Sequence, residues 1–215
     1  MLPDSDQLRD EMVADLVKRG VRSKAVLQAM RIVPRELFVP KEHLEHAYYD
    51  GPIPLPTEQT ISQPYVVALM LSALNLQPHF KVLEVGTGSG YAAAVLSKLV
   101  QQVHTVERQA QLVAYAQACL HDDGYANIAV HLGDGTLGWP PAAPYDAIIV
   151  AAGGPAVPVA LREQLGENGR LIMPVGSQQK QKLQLVWRKT NGRFGQKTLS
   201  PVRFVPLIGS KGWQE

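Results

Sequence analysis

Val82-Leu83-Glu84-Val85-Gly86-Thr87-Gly88-Ser89-Gly90 is the stretch that decides the fold. Its first four residues form a short buried-strand pattern, and a helical pattern over Tyr91–Val100 follows the glycines. Glycines in such a turn let the backbone approach a ligand and take positive φ without a side-chain clash. The stretch does not match a dinucleotide fingerprint, which needs glycine at Tyr91, and it lacks the Gly-Lys-Ser/Thr ending of a phosphate-binding loop. Nor do glycines flank Ser89 as in a serine-hydrolase elbow.

Strand and helix patterns alternate from this stretch onward. Further strands are predicted at Val103–Val106, Ile128–Leu132, Tyr145–Val150 and Arg170–Val175, with a helix at Ala110–Leu120. This order predicts a parallel sheet with helices on both faces. Two β-rich runs then flank a turn at Asn191-Gly192 and predict a closing antiparallel hairpin, Leu183–Arg188 and Thr198–Leu207.

The N-terminal part shows helical and loop patterns instead of alternating strands and helices. Leu8, Met12 and Leu16 repeat every three to four residues, which predicts a helix that ends near Gly20. Ser23 is placed to cap a second helix, and a third starts at Pro64 after a proline-rich passage. We therefore expect an α/β fold, with a doubly wound, mostly parallel sheet, a C-terminal antiparallel hairpin and an N-terminal helical appendage. The predicted division is a helical and loop subdomain at 1–78 and an α/β domain at 79–215.

The composition is that of an ordinary globular protein. The chain has 215 residues, of which 46% are hydrophobic and 19% charged, and its net charge is only +2. Cys119 is the single cysteine, so no intramolecular disulfide forms and a reducing compartment is expected. The first dozen residues carry acids where a signal peptide needs a basic start, and the most apolar stretch, 147–161, is broken by glycine and proline. We expect a cytoplasmic monomer with no membrane or nucleic-acid partner. His43 and His46 lack a third ligand nearby, so no metal is expected.

The glycine loop resembles a known cofactor site. It reads G-x-G-x-G after an acid, which is similar to the S-adenosyl-L-methionine site of the class I methyltransferase superfamily, with its Rossmann-like fold. The resemblance implies that four loop residues bind this cofactor: Glu84, Gly86, Gly88 and Gly90. Glu107 ends the next strand, where a carboxylate can accept both ribose hydroxyls. Asp134, after the third strand, can accept from the adenine amino group while Gly135 leaves room for the ring. The alternative is that these acids are ordinary turn residues.

A second segment narrows the substrate. Gln59-Thr60-Ile61-Ser62-Gln63-Pro64 resembles the Q-T-I-S-Q-P motif of bacterial protein-L-isoaspartate O-methyltransferases. Blocks at 33–40, 82–91, 133–140, 145–150 and 202–209 also match that family, so the resemblance covers essentially the whole chain. It implies methyl transfer from S-adenosylmethionine to the α-carboxylate of L-isoaspartyl residues in damaged proteins and peptides. The ester then closes spontaneously to a succinimide, which hydrolyses partly to normal aspartate.

The same resemblance assigns residue roles. Ser62 would be the catalytic and substrate-binding residue, because its hydroxyl can orient the carboxylate oxygen. The preceding loop residues would contact the cofactor: Gln59, Thr60 and Ile61. Taken alone, a serine before a helical proline is more typical of a helix cap. The segment Val202–Leu207 resembles the family's peptide-contacting C-terminal strand, so Val205 and Leu207 are expected to bind substrate; a plain edge strand is the alternative.

One departure and two alternatives remain. Many relatives have G-x-G immediately before Q-T-I-S, where this chain has Pro56-Thr57-Glu58, so we expect a stiffer loop or an altered peptide preference. The chain is alternatively a methyltransferase of the same superfamily that acts on a metabolite or RNA, because fold and cofactor do not fix substrate. It is alternatively a non-catalytic relative that binds the cofactor without turnover. The Q-T-I-S-Q-P segment favours the repair enzyme over both.

Overall fold

The computed structural model describes residues 4–121 and 124–214. The first three residues of the predicted N-terminal subdomain and the last residue of the α/β domain therefore lie outside the described part. Six helices are described, α1 Ser5–Lys18, α2 Lys24–Ile32, α3 Pro64–Leu74, α4 Tyr91–Ser97, α5 Ala110–Cys119 and α6 Val159–Glu163. The strands described are β1 Ile53–Pro54, β2 Thr60–Ile61, β3 Lys81–Val85, β4 Gln102–Glu107, β5 Ile128–Leu132, β6 Tyr145–Val150, β7 Leu165–Gly176, β8 Gln181–Arg188 and β9 Phe194–Val202.

Seven strands form one central sheet in the order β5-β4-β3-β6-β7-β8-β9. The strands from β5 to β7 are parallel to their neighbours, whereas β8 and β9 are antiparallel. The predicted doubly wound, mostly parallel sheet with a C-terminal hairpin is confirmed. The strand order reverses at β3, because the chain passes from β3 to β4 on one side and reaches β6 on the other. Ligands of open α/β sheets bind at such a switch point, beyond the carboxyl ends of the strands.

Both faces of the sheet are covered, as is usual for parallel strands such as β3 and β4, whose successive side chains are buried on both faces. Val82 of β3 packs in the cluster that also contains Leu16 of α1, Met30 of α2 and Leu71 of α3. The alternate residue, Leu83, belongs to the cluster on the opposite face. The N-terminal helices thus share a core with the sheet, and the division at 78 stays a prediction. Among the described helices, none is long and apolar enough to span a membrane.

Two strand boundaries differ from the sequence prediction by five residues, and the others differ by four or fewer. β7 begins at Leu165 rather than Arg170, because the glycine-containing stretch before Arg170 still pairs with β6 across a shift in register. β9 ends at Val202, so the prediction of a strand as far as Leu207 is wrong. The buried side-chain amide of Gln181 accepts the Phe204 N–H (2.9 Å) and donates to its carbonyl (3.2 Å), which takes the place of a neighbouring strand. The chain after Val202 is thereby turned toward the carboxyl ends of the parallel strands.

Candidate active site

A cleft lies at the switch point, beyond the carboxyl ends of β3 and β4. It encloses about 910 Å³ including its open mouth, within the range of small-molecule sites. The structure brings eleven of the thirteen predicted site residues to its wall: Gln59, Thr60, Ile61, Ser62, Glu84, Gly86, Gly88, Glu107, Gly135, Val205 and Leu207. The other two, Gly90 and Asp134, are not part of the wall. Segments far apart in sequence therefore converge on one cleft.

The glycine loop after β3 forms the floor of the cleft. Gly86, Gly88 and Gly90 have φ values of 91°, 55° and 89°, a region that side-chain-bearing residues rarely adopt. The Gly86 N–H donates to the carbonyl of Val106 (2.9 Å), and the Gly88 N–H donates to the Glu107 carboxylate (3.1 Å). The loop is therefore tied to the end of β4. Gly90 precedes α4, where a Cβ would come within 3.1 Å of Leu120.

Glu84 places an unusual carboxyl group in the wall of the cleft. One of its oxygens accepts from the Thr105 hydroxyl (2.6 Å), whereas Oε1 is buried and has no partner among the described residues. Burial raises the pKa of Glu84 to about 8; the Thr105 hydrogen bond opposes this shift, and the charge of Glu107 adds to it. A buried polar atom without a partner calls for an explanation. A ligand that brings a positive charge or an N–H donor supplies one, so the group fits S-adenosylmethionine.

Glu107 and Asp134 have different surroundings. Glu107 is buried, and its two oxygens accept the N–H groups of Gln109 (3.1 Å) and Gly88 (3.1 Å). A carboxylate has about four acceptor positions, so two remain for hydroxyl groups of a ligand. Both oxygens of Asp134 are instead occupied by the backbone and side-chain groups of Thr136 and Ser210, at 2.6–2.9 Å. Burial alone would raise the pKa of Asp134, but these hydrogen bonds lower it below its usual value.

These contacts tie Asp134 to the C-terminal segment and leave it outside the cleft wall. Gly135 lies in the wall, where a Cβ would meet Val85 at 2.4 Å, so only glycine fits at this point. The predicted contacts of Glu107 with the ribose and of Asp134 with the adenine stay predictions.

The loop Gln59–Gln63 forms one side of the cleft through its first four residues, and part-buried hydrogen bonds with Arg35 and Asp50 hold it. Arg35 donates through Nη2 to the Ser62 carbonyl (3.0 Å). Asp50 accepts the Tyr65 N–H (2.9 Å) and the side-chain amide of Gln63 (2.7 Å) at the start of α3. The helix is thus capped by Asp50, and Gln63, the N-cap residue, makes no side-chain cap bond. Ser62 lies in the cleft wall, and its hydroxyl makes no hydrogen bond to the described residues.

The C-terminal segment closes the opposite side. The Gly153 N–H donates to the Val205 carbonyl (2.8 Å), and the Leu207 N–H donates to the Gly153 carbonyl (2.8 Å). The segment therefore runs as a short parallel addition beside the end of β6, with Pro206 opposite Gly153. This geometry holds extended backbone at the mouth of the cleft.

Three contact residues were not predicted from the sequence: Arg35, Asp50 and Gln181. Arg35 stands in the Val33–Pro40 block, where a charged residue among apolar ones hints at a buried role. Asp50 and Gln181 carry no local pattern that distinguishes them. The hydrogen-bond partners of these three residues lie 12–27 residues away along the chain.

The sheet order, the glycine loop at its switch point and the acid-lined cleft define a Rossmann-like methyltransferase that uses S-adenosylmethionine. Solved structures agree with this class. A protein-L-isoaspartate O-methyltransferase superposes with a TM-score of 0.85 at 31% identity, covering 95% of this chain and 67% of that one. A Plasmodium falciparum protein described as a protein-L-isoaspartate O-methyltransferase, in complex with S-adenosyl-L-homocysteine, superposes with a TM-score of 0.82 at 26% identity, covering 93% and 98%.

Sequence comparison identifies the family. The family model for protein-L-isoaspartate(D-aspartate) O-methyltransferases matches residues 7–212. The protein-L-isoaspartate O-methyltransferase of Rhodopseudomonas palustris is 54% identical over 93% of this chain and 92% of its own length, and that of Roseiflexus castenholzii is 52% identical over 95% and 94%. The chain belongs to the protein-L-isoaspartate(D-aspartate) O-methyltransferase family. It is accordingly an enzyme, and family membership favours the repair function over the metabolite, RNA and non-catalytic alternatives.

Proposed function

We propose that this chain transfers the methyl group of S-adenosylmethionine to the α-carboxylate of L-isoaspartyl residues in proteins and peptides, with Ser62 as the residue that positions the carboxylate. The observation that carries the proposal is the position of Ser62. Ser62 lines the same cleft as Glu84 and the glycine loop, and its hydroxyl has no hydrogen-bond partner in the described part of the chain. Methylation converts the carboxylate into a methyl ester; the following backbone nitrogen then attacks the ester carbonyl, gives up its proton to the departing methoxide, and closes the succinimide as methanol leaves.

Methyl transfer requires alignment of the carboxylate oxygen with the methyl group rather than proton transfer. A carboxylate with a pKa of about 4 is already an anion at neutral pH, so no general base is needed. The cofactor, when bound, supplies an electrophilic methyl group on sulfur. The chain's task is to hold the carboxylate oxygen in line with that methyl and to keep water out. A serine hydroxyl can donate to the oxygen that does not react. Pro64 starts α3 immediately beyond the loop, and the positive end of the helix favours an anion there.

The remaining site residues are proposed to divide between cofactor and peptide. Gln59, Thr60 and Ile61 border the cofactor together with the glycine loop, and Glu107 accepts from the ribose hydroxyls. Val205 and Leu207 contact the peptide, whose extended backbone would lie along the C-terminal segment. Asp134 is proposed to contact the adenine, in competition with its bonds to Ser210.

The cellular setting is also part of the proposal. A half-buried free cysteine, Cys119, suits a reducing cytoplasm. A net charge of +2 gives little attraction for nucleic acid. We propose a cytoplasmic monomer whose partners are isoaspartyl proteins and peptides.

The test uses S-adenosylmethionine labelled in its methyl group and two peptides that differ only in one L-isoaspartyl or L-aspartyl linkage. Label released as methanol by base is expected from the isoaspartyl peptide alone. Ser62→Ala is expected to lower kcat by about 10- to 100-fold, the loss typical of a misplaced reactant, while cofactor affinity changes by less than about twofold. Ser97→Ala is the control, because the Ser97 hydroxyl bonds only the Ala94 carbonyl of its own helix (2.7 Å). Label on neither peptide, with cofactor bound, would refute the substrate; equal losses in kcat and affinity would refute the role of Ser62.

A further inference from the structure

Arg35 is a fully buried arginine behind the active-site loop, with 0% of its surface exposed. Its Nε donates to the Ala47 carbonyl (2.8 Å) and its Nη2 to the Ser62 carbonyl (3.0 Å). The guanidinium carbon lies 4.5 Å from the ring centroid of Tyr91, the first residue of α4 and part of the cleft wall. Arg35 thus contacts the loop that carries Ser62 and the helix that follows the glycine loop.

The charge of Arg35 has no counter-ion. Among the described residues, no carboxylate lies within ion-pair distance of its guanidinium, and Nη1 has no hydrogen-bond partner. The adjacent Glu36 is bonded to the Tyr48 hydroxyl instead. A buried cation with an incomplete set of partners is costly, and an apolar side chain would fill the same space without that cost. The two carbonyl bonds and the ring contact are therefore what the arginine provides.

The two hydrogen bonds of Arg35 fit the rigid, planar guanidinium group, whose N–H donors point in fixed directions. The two acceptors belong to segments that lie 15 residues apart, Ala47 and Ser62, and one planar guanidinium reaches both. A lysine ammonium is a flexible point charge and cannot reproduce two directed bonds in one plane. Ala47 and the Tyr91 ring hold the plane, and Nη2 then fixes the peptide plane of Ser62. Because Cα of Ser62 is part of that peptide unit, the point from which its side chain extends is restrained as well.

We propose that Arg35 is a positioning residue for methyl transfer: through the Ser62 carbonyl it sets the direction of the Ser62 hydroxyl in the cleft. The proposal rests on the role of Ser62 proposed above. Arg35 itself is not part of the cleft wall, so it acts on turnover either through the Ser62 carbonyl or through the Tyr91 ring, and only the first route depends on the Ser62 hydroxyl. If Arg35 only filled the core, its replacement would lower stability, and any loss of kcat would be the same with and without the Ser62 hydroxyl.

A double-mutant cycle tests this dependence. Arg35→Lys keeps the charge and most of the stem but loses the planar guanidinium, and Arg35→Met keeps only the stem; each is made in the wild-type chain and in Ser62→Ala. Turnover of the isoaspartyl peptide is measured with labelled cofactor, affinity for S-adenosylhomocysteine by calorimetry, and folding by thermal unfolding. Arg35→Lys is expected to lower kcat by about tenfold in the wild type but less than about twofold in Ser62→Ala, with affinity within about threefold.

The matched control is Arg188→Lys. Arg188 is a half-buried arginine that donates to the Leu165 carbonyl (2.7 Å) at the amino end of β7, away from the cleft. The kcat of Arg188→Lys should stay within about twofold of the kcat of its parent, both in the wild-type chain and in Ser62→Ala. The same fractional loss from Arg35→Lys in both backgrounds, or no loss in either, would overturn the proposal. An unchanged kcat in Ser62→Ala alone would instead overturn the proposed role of Ser62, and label on neither peptide would overturn the proposed substrate. If Arg35→Met is unfolded, Arg35→Lys completes the cycle by itself.

Discussion

Replacement of Glu84 by glutamine should change how the stability of this enzyme depends on pH. The Glu84 carboxyl is 1% exposed, with one oxygen bonded to Thr105 and the other without a partner in the described structure. Burial raises its pKa to about 8 from an ordinary value of 4.5. Glutamine keeps the shape and an acceptor for the Thr105 hydroxyl but cannot ionise. The variant therefore removes one titration and little else.

The sign follows from proton binding. Between pH 4.5 and about 8 the unfolded chain has released the Glu84 proton, whereas the folded protein still holds it. The folded state binds more protons in this window, so the free energy of unfolding falls as pH rises through it. The contribution is fully present below pH 4.5 and is lost by about pH 8. A pKa difference of this size corresponds to a few kcal/mol across the window, at about 1.4 kcal/mol per unit.

Urea unfolding from pH 5 to pH 8.5 measures the effect, with three proteins compared at every pH: wild type, Glu84→Gln and Glu167→Gln. Glu167 is exposed and serves as the control for removal of one negative charge. We expect Glu84→Gln to gain stability relative to wild type as pH rises, by about 2–4 kcal/mol in all. The control should follow the wild-type profile. Parallel profiles for wild type and Glu84→Gln would show that the buried carboxyl does not titrate in this window, and the assignment of its protonation would fail.

Three further substitutions test other parts of the site. Glu107→Ala should weaken cofactor binding by about 1.5–3 kcal/mol, the usual contribution of charged hydrogen bonds, and unchanged affinity in calorimetry would contradict the ribose contact. Asp50→Ala leaves the Tyr65 N–H uncapped and should lower the free energy of urea unfolding by about 1–3 kcal/mol; a loss below about 0.5 kcal/mol would refute this capping role. Asp134→Ala should release the segment at Ser210 and cost about 1–3 kcal/mol at neutral pH, a difference that shrinks as pH falls through the lowered pKa of Asp134; equal differences at pH 7 and pH 3 would count against it.

The fold could be predicted because its signals are local. The alternation of apolar strands with helical patterns specifies a parallel sheet, and Asn191-Gly192 specifies the hairpin turn. The boundaries of β7 could not be predicted, since the stretch before Arg170 is rich in glycine and Asn168 has φ of 59°, which is typical of a turn. Only pairing with β6 makes a strand of it. The end of β9 was missed for a related reason, because it depends on the side chain of Gln181.

The candidate site also has a part that could be predicted from the sequence and a part that could not. Residues of the glycine loop follow their strand directly, so a motif in sequence is also a site in space. The contacts that hold Ser62 join segments that are distant in the chain: Arg35 is 27 residues from it. Neither periodicity nor composition encodes such a pair. Both hydrogen bonds of Arg35 are accepted by backbone carbonyls. Every residue has this group, so the type of the partner residue does not reveal the bond.

Different contacts hold the two sides of the cleft. The glycine loop on the cofactor side of the cleft is held by the end of β4, because the Gly88 N–H donates to Glu107 and the Gly86 N–H donates to the Val106 carbonyl. The Ser62 side is held by Arg35 and Asp50, and within the described part of the chain neither of them makes a hydrogen bond to the glycine loop. Damage to these two residues should therefore reduce turnover before it reduces cofactor affinity. A variant series along this side in which both quantities fell together would show instead that the two sides of the cleft form a single cooperative unit.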